Sequence, residues 1–167
     1  MTHAMCAPVV AGRVDTPRAE SLGLRAGLAR ADVTVFPIDH YFSAYWAAVR
    51  GNHARLDLPP GILTESVTFP GEEVLHDLVR EVTPGHAPRF AVIQTEYFAG
   101  AGDQWAAAFD GKVRLTPDGA TINQALAALG VEATDTADEF DVIGLGALRG
   151  NPDHLQTYAA LCAELGA

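Results

Sequence analysis

Cysteine is scarce in this chain of 167 residues: only Cys6 and Cys162 are present, near opposite ends of the sequence. Two cysteines are too few for a disulfide framework, so their scarcity fits a reducing compartment. A single bridge between them stays open at this point. Both also fit the simpler role of small core or surface residues.

Long apolar runs are also absent. Apolar stretches such as Phe90 to Ile93 span only a few residues, whereas a helix that crosses a bilayer needs about 20. The first residues, MTHAMCAPVVAG, contain no basic leader, and their apolar part is too short and too broken for a secretory signal. We therefore expect no membrane span, no export and a cytoplasmic location.

Catalytic and cofactor-binding signatures are missing as well. No HExxH, GxSxG or Cys-His pattern occurs, and the glycine pairs Gly100/Gly102 and Gly144/Gly146 lack the strand-then-helix context of a dinucleotide site. No two histidines stand three or four residues apart; the six are His3, His40, His53, His76, His86 and His154. We expect no metal and no cofactor, and whether the protein is an enzyme stays uncertain, with the balance against it.

One dipeptide leaves a polar site open. Asp39-His40 lies where a predicted strand meets a predicted helix, and polar groups converge at such junctions, where they can serve a metal or an acid/base reaction. The simpler interpretation is a plain helix cap, in which Asp39 accepts hydrogen bonds from first-turn amides.

Negative charge is abundant but unevenly distributed. The net charge is −10; residues 1–60 hold six arginines against five acids, whereas residues 61–167 hold five basic groups against sixteen acids. Five of those acids fall within residues 131–141, which contain no base. An acidic surface repels phosphate groups, so we expect neither nucleic acid nor membrane as a partner, and a basic protein is favoured on electrostatic grounds.

The densest group of strand-forming residues spans Phe90 to Leu115 and predicts a three-stranded meander. Asp110-Gly111 suits the two central positions of a type I′ hairpin turn, both of which favour positive φ. Helices are predicted at residues 16–30, 40–50, 72–82, 120–130 and 152–165, and further strands at 33–38, 63–69 and 140–146. The pattern favours one α+β domain over residues 1–167, in which helices pack on one face of a mostly antiparallel sheet.

Glu96 is the leading candidate for a functional side chain. It shares one strand face with Phe90 and Val92, and a carboxylate buried on such a face needs a partner or carries a raised pKa. The opposite face, with Ile93 and Tyr97, is an equally plausible inner face and would leave Glu96 in water. If Glu96 is buried, we expect a polar cleft around it, formed with Tyr97, Asp103, Gln104 and Trp105.

Three short segments carry a family resemblance. They are Tyr97 to Gln104 (YFAGAGDQ), Ile122 to Leu126 (INQAL) and Asp138 to Gly146 (DEFDVIGLG). The chain resembles, over about residues 90–150, a family of small uncharacterised bacterial proteins with YFxGxGxQ, INxAL and DEFDxxGLG elements, some of them immunity-type proteins that accompany toxins. The resemblance implies no catalytic residue, but it suggests that the AGAGD loop and the DEFD segment form one feature, with Asp138 and Asp141 capping the loop's amides.

Three functions follow as hypotheses. The first is an immunity-type or inhibitor protein that binds a basic partner through an acidic ridge from Glu132 to Asp141, which includes Asp138 and Glu139. The second is a small-molecule binder or hydrolase, its cleft formed by the Glu96 group and the aromatic helix from Tyr41 to Trp46. The third is a homodimer that buries those aromatic side chains. An exposed ridge would favour the first, and a deep pocket with a desolvated Glu96 the second.

Overall fold

A computed structural model describes residues 2–85 and 87–167 as one antiparallel sheet with helices around it. The sheet order is β2-β3-β1-β4-β5-β6. The strands are β1 (Thr2–Ala11), β2 (Leu28–Arg30), β3 (Val33–Val35), β4 (Arg89–Phe98), β5 (Ala101–Asp110) and β6 (Val113–Arg114). The helices are α1 (Thr16–Ser21), α2 (His40–Arg50), α3 (Pro60–Glu65), α4 (Val74–Val82), α5 (Ile122–Ala128), α6 (Glu139–Ile143) and α7 (Thr157–Leu165).

Helices cover both faces of the sheet rather than the one face expected from the sequence. On the front face, Phe90 and Val92 belong to an apolar cluster that includes residues of α1, α2 and α4. On the back face, Ile93 packs in a second cluster with α5 and α6. The central strands are therefore buried on both sides, which explains why β4 begins as a continuous apolar run instead of an alternating one.

The predicted meander is confirmed, but its turns differ from the prediction. Phe98 pairs with Ala101, so Ala99 and Gly100 form the two-residue β4–β5 turn, and both have positive φ, as a type I′ turn requires. Asp110 pairs with Val113, which makes Gly111 and Lys112 the β5–β6 turn. Only Gly111 has positive φ there, so the prediction of a type I′ turn at Asp110-Gly111 is wrong.

The central strand β1 was not predicted from the sequence. It contains Pro8, and proline usually marks an edge strand because it has no amide to donate. The Pro8 carbonyl accepts from the Phe36 amide, just past the end of β3 at Val35. The amide and carbonyl of one strand residue point to the same side, so the Pro8 nitrogen, which has no hydrogen, also faces β3 and not β4. The ladder between β1 and β4 therefore loses no bond.

Three other predictions are wrong, and local caps explain two of them. The helix predicted at 16–30 stops at Ser21, before Gly23 adopts a positive φ, and the chain then enters β2. The strand predicted at 63–69 is replaced by α3 and a loop. The strand predicted at 140–146 is α6, which Asp138 caps at its start and Gly144 ends with a left-handed conformation.

Candidate functional site

The sheet divides the cleft that the sequence predicts around Glu96. Side chains alternate along a strand, so Glu96 and Trp105 lie on the front face, whereas Tyr97 and Gln104 lie on the back. Trp105 is only 7% exposed, and its Nε1 donates to Glu65 Oε2 at 2.9 Å. No single cleft therefore contains the whole predicted group.

Glu96 is exposed, and the buried polar residue beside it is Gln94. Gln94 Oε1 accepts from Ser66 Oγ at 2.7 Å, and its Nε2 donates to Thr68 Oγ1 at 2.9 Å and to Glu96 Oε1 at 3.3 Å. Asp103, also exposed, pairs with Glu96 across the β4–β5 ladder. Of the two alternatives for Glu96, buried or facing water, the structure agrees with the second.

A small front-face recess of about 200 Å³ brings Glu96 near Asp39 and His40. Asp39 caps α2 by accepting from the Phe42 amide at 2.8 Å, which is the simpler of its two predicted roles. The His40 ring stacks against Tyr41 with centroids 4.0 Å apart. The recess is smaller than the roughly 300 Å³ at which ligand pockets usually begin, so it gives little support to a small-molecule site.

The aromatic side chains of α2 from Tyr41 to Trp46 do not line this recess. Tyr41 is half-exposed, and Trp46 packs edge-on against Tyr45 with the Arg50 guanidinium 5.1 Å from its ring centroid. α2 packs against α4 and α7. The expectation that Tyr41 and Trp46 complete a cleft with Glu96 is therefore wrong.

A back-face recess of about 240 Å³ brings the three resemblance segments together. Tyr97 and Gln104 come from the first segment, Asn123 from the second, and Asp138 and Phe140 from the third. The convergence joins residues more than 40 positions apart in the chain. Tyr97 and Gln104, which flank the β4–β5 turn, therefore lie beside the DEFD segment, whereas no residue of the AGAGD loop itself lines this recess.

Two amide side chains fasten this recess. Gln104 Oε1 accepts from the Ile122 amide at 2.8 Å, while its Nε2 donates to the Tyr97 hydroxyl at 2.9 Å. Asn123 Oδ1 accepts from the Phe140 amide at 2.8 Å, and its Nδ2 donates to Asp138 Oδ2 at 3.0 Å. Gln104 therefore ties α5 to the sheet, and Asn123 ties α6 to α5.

Asp138 caps its own helix rather than the hairpin loop. Its Oδ1 accepts from the Asp141 amide at 2.9 Å and its Oδ2 from Asn123. Within residues 2–85 and 87–167, no hydrogen bond joins Asp138 or Asp141 to the loop at 99–103. The predicted capping of the loop's amides is therefore wrong.

His3 and Thr95 form a part-buried hydrogen bond at this recess that sequence reasoning missed. His3 Nε2 lies 3.0 Å from the Leu145 carbonyl, so in the neutral ring this nitrogen carries the proton. His3 Nδ1 then accepts from Thr95 Oγ1 at 2.7 Å, and Thr95 Oγ1 accepts from the Met5 amide at 3.3 Å. The distance suits a nucleophile and its base, but Thr95 is only 1% exposed, so the pair fastens β1, β4 and the segment after α6.

An acidic ridge, which we define as residues 132–141, flanks the back-face recess. Glu132, Asp135, Asp138 and Asp141 are exposed, and Glu139 is half-buried. None of these five carboxylates forms an ion pair with a lysine, arginine or histidine in the part of the chain that the structure describes. The ridge therefore presents uncompensated negative charge beside Tyr97 and Phe140.

Both cysteines are free and buried, so the structure contains no bridge between them. Cys6 Sγ donates to the Ile38 carbonyl at 2.9 Å, and burial raises the pKa of both thiols above the usual value. A buried thiol of high pKa is a poor nucleophile. Among the described residues, no group of three or more histidine, cysteine or acidic side chains is arranged to hold a metal ion.

Comparison of the chain with protein-family models, with curated proteins and with solved structures gives no match. Residues 2–85 and 87–167 include no helix with the length and apolar character needed to cross a membrane.

Proposed function

We propose that this protein binds a basic protein partner through the acidic ridge, in the manner of an immunity-type or inhibitor protein. The observation that carries the proposal is the set of five ridge carboxylates without a described ion pair. A partner that supplies arginine or lysine would neutralise these charges without first breaking ion pairs within this chain.

The surroundings of the ridge support a protein rather than a small molecule as the partner. The adjacent recess of about 240 Å³ is small, whereas Tyr97 and Phe140 offer half-buried aromatic surface at its edge. Aromatic side chains with a polar rim are typical of residues that dominate protein interfaces. Uncompensated charge accelerates association with an oppositely charged protein, and salt screens this effect.

The test uses binders selected from a display library built on a small helical domain with randomised surface residues. A helical scaffold has no strand edge, so selection reports on surface complementarity. Selected domains are expected to be enriched in lysine and arginine at the randomised positions. Their affinity for this protein should fall steeply as the salt concentration rises.

A pair of charge variants locates the binding surface. The ridge variant changes Glu132→Gln, Asp135→Asn and Asp141→Asn, because these three exposed side chains take part in no hydrogen bond that the structure records. The control removes the same charge elsewhere with E20Q, D153N and E164Q. We expect the ridge variant to slow association about tenfold or more at low salt, and the control to change it little. Selected surfaces without basic enrichment, or equal losses in both variants, would contradict the proposal.

A further inference from the structure

Part of the outer edge of β5, the side away from β4, pairs with no other strand among the described residues. The β6 ladder and its continuation cover the edge only as far as Ala108, whose carbonyl accepts from the Leu115 amide and whose amide donates to Thr116 Oγ1. Further along this covering segment, Pro117 has no amide that could donate to β5. At Gly119, where φ is +73°, the chain turns away from the β5 edge. From Ala108 towards the β4–β5 turn, no strand among the described residues pairs with this edge.

The ladder geometry determines which backbone groups point outward. In a strand, the amide and carbonyl of one residue point to the same side, and the next residue's point to the other. Because both backbone groups of Ala108 face the β6 side, those of Gly102, Gln104 and Ala106 face it too. These three amides and three carbonyls form no hydrogen bond with any described residue.

The burial of Ala106 makes its missing backbone hydrogen bonds informative. Ala106 is only 1% exposed, and more than nine in ten buried backbone amides and carbonyls in proteins are paired. Ala106 lines a groove of about 280 Å³, together with Gln104 and Trp105. One wall of the groove is formed by Pro59 to Ile62 and Glu65, the other by Asp118 to Ala120. Because Ala106 is almost fully covered, an added backbone can reach its unpaired groups only if the walls of the groove move apart.

We propose that the β5 edge accepts an extended segment of a partner protein as an added strand, with basic side chains at alternate positions. Strand addition at a free edge uses the outward backbone groups for affinity and alternate side chains for specificity. One face of such a strand would lie beside Asp103, Trp105 and Glu65.

Charge favours a basic segment over a second copy of this chain. Glu65 and Asp103 are exposed and form no ion pair with a described residue, whereas Asp118 is held by Arg114 at 2.8 Å. The groove therefore has more negative than positive charge. A β5–β5 pair between two copies would bring these carboxylates together, whereas lysine or arginine at alternate positions would neutralise them.

Amide hydrogen exchange measured by NMR tests the proposal on the unmodified protein. Without peptide, exchange should be fast at Gly102 and Gln104 and slow at the intervening Asp103 and Trp105, whose amides face β4. An alternating lysine–valine peptide should slow exchange at Gly102 and Gln104 about tenfold or more. A glutamate–valine peptide of equal length should not, nor should the lysine–valine peptide with its edge-facing amides N-methylated.

Several results would overturn the proposal. One is unchanged exchange at Gly102 and Gln104 in the presence of the lysine–valine peptide, because these two amides would then still be bonded to water. Equal protection by the N-methylated peptide is another, because backbone pairing would then not be involved. Protection that rises with protein concentration in the absence of peptide would identify a second copy as the occupant.

Proline variants provide a matched check on the edge geometry. Ala106→Pro removes an outward amide and fills the groove, so it should abolish peptide protection at Gly102 and Gln104. Ala107→Pro removes an amide that pairs with β4, so it should destabilise the fold far more than A106P does. If A106P and A107P destabilise the fold equally, the outward direction assigned to the Ala106 amide is wrong. Because the ridge variant keeps this edge intact, it should bind the peptide normally, which separates this proposal from the first.

Discussion

Gln104 offers the sharpest test of how the back-face recess is held together. Its side chain is the fastening between β5 and α5, through the Ile122 amide and the Tyr97 hydroxyl. Gln104→Leu keeps the size of the side chain but removes both hydrogen bonds. Gln104→Glu keeps an acceptor for Ile122 and lets the Tyr97 hydroxyl donate to the new carboxylate.

The magnitude follows from the burial of the two partners. Ile122 is 2% exposed, so Q104L leaves its amide buried without an acceptor, at a cost of about 1–3 kcal/mol. Tyr97 is half-buried and can turn to water, which limits its share to roughly 0.5–1 kcal/mol. We therefore expect Q104L to lower the free energy of unfolding by about 1.5–4 kcal/mol and Tm by roughly 3–16 °C. Q104E should lose less than about 1 kcal/mol.

Urea denaturation followed by circular dichroism measures these differences. Gln156→Leu is the matched control, because Gln156 is exposed and its side chain forms no recorded hydrogen bond; it should leave stability unchanged. If Q104L unfolds within about 0.5 kcal/mol of the wild type, the Ile122 bond does not fasten α5. Equal losses in Q104L and Q104E would refute the acceptor role assigned to Gln104.

Two further predictions concern a turn and an ion pair. Ala99 has φ +53° in the β4–β5 turn, so Ala99→Asn should raise stability in urea by about 0.5–1 kcal/mol because asparagine tolerates this conformation. Lys112→Asn is the control, because φ is not positive at Lys112, and it should not raise stability. Equal effects of the two substitutions would contradict the assigned turn. The hydrogen bond from Arg50, with a further contribution from Arg18, lowers the pKa of Glu81 below 4.5. Its stabilising effect should be constant at neutral pH and be lost as pH falls below about 4.5, so a wild-type advantage over Glu81→Gln that persists unchanged in acid would refute the ion pair.

The sequence predicted well where local signals agree. α2 begins after the Asp39 cap and ends at the left-handed Gly51, as its residues indicate. α4 shows five apolar residues at helical spacing, all of them buried. In both helices the capping and the periodicity lie within a dozen residues, so no distant contact is needed to predict them.

Prediction failed where distant contacts decide the structure. β1 contains a proline and lacks alternation, and it becomes a strand because β3 and β4 pair with it from both sides. α6 is only five residues long, too short to show a helical period, and its stability depends on the Asp138 cap and on Asn123. His3 and Thr95 stand 92 positions apart, so no sequence spacing announces their contact.

The error at the predicted cleft has a simpler cause. Neighbouring residues of a strand point to opposite faces, so Glu96 and Tyr97 cannot line one interior cleft, and neither can Gln104 and Trp105. The same alternation gives Gln104 two separate roles: its side chain belongs to the back-face recess, while its backbone faces the β5 groove. Q104L should therefore alter the recess beside the ridge yet leave the outward amide free for strand addition. A partner that needs the ridge and a partner that needs the edge will consequently respond differently to this one substitution.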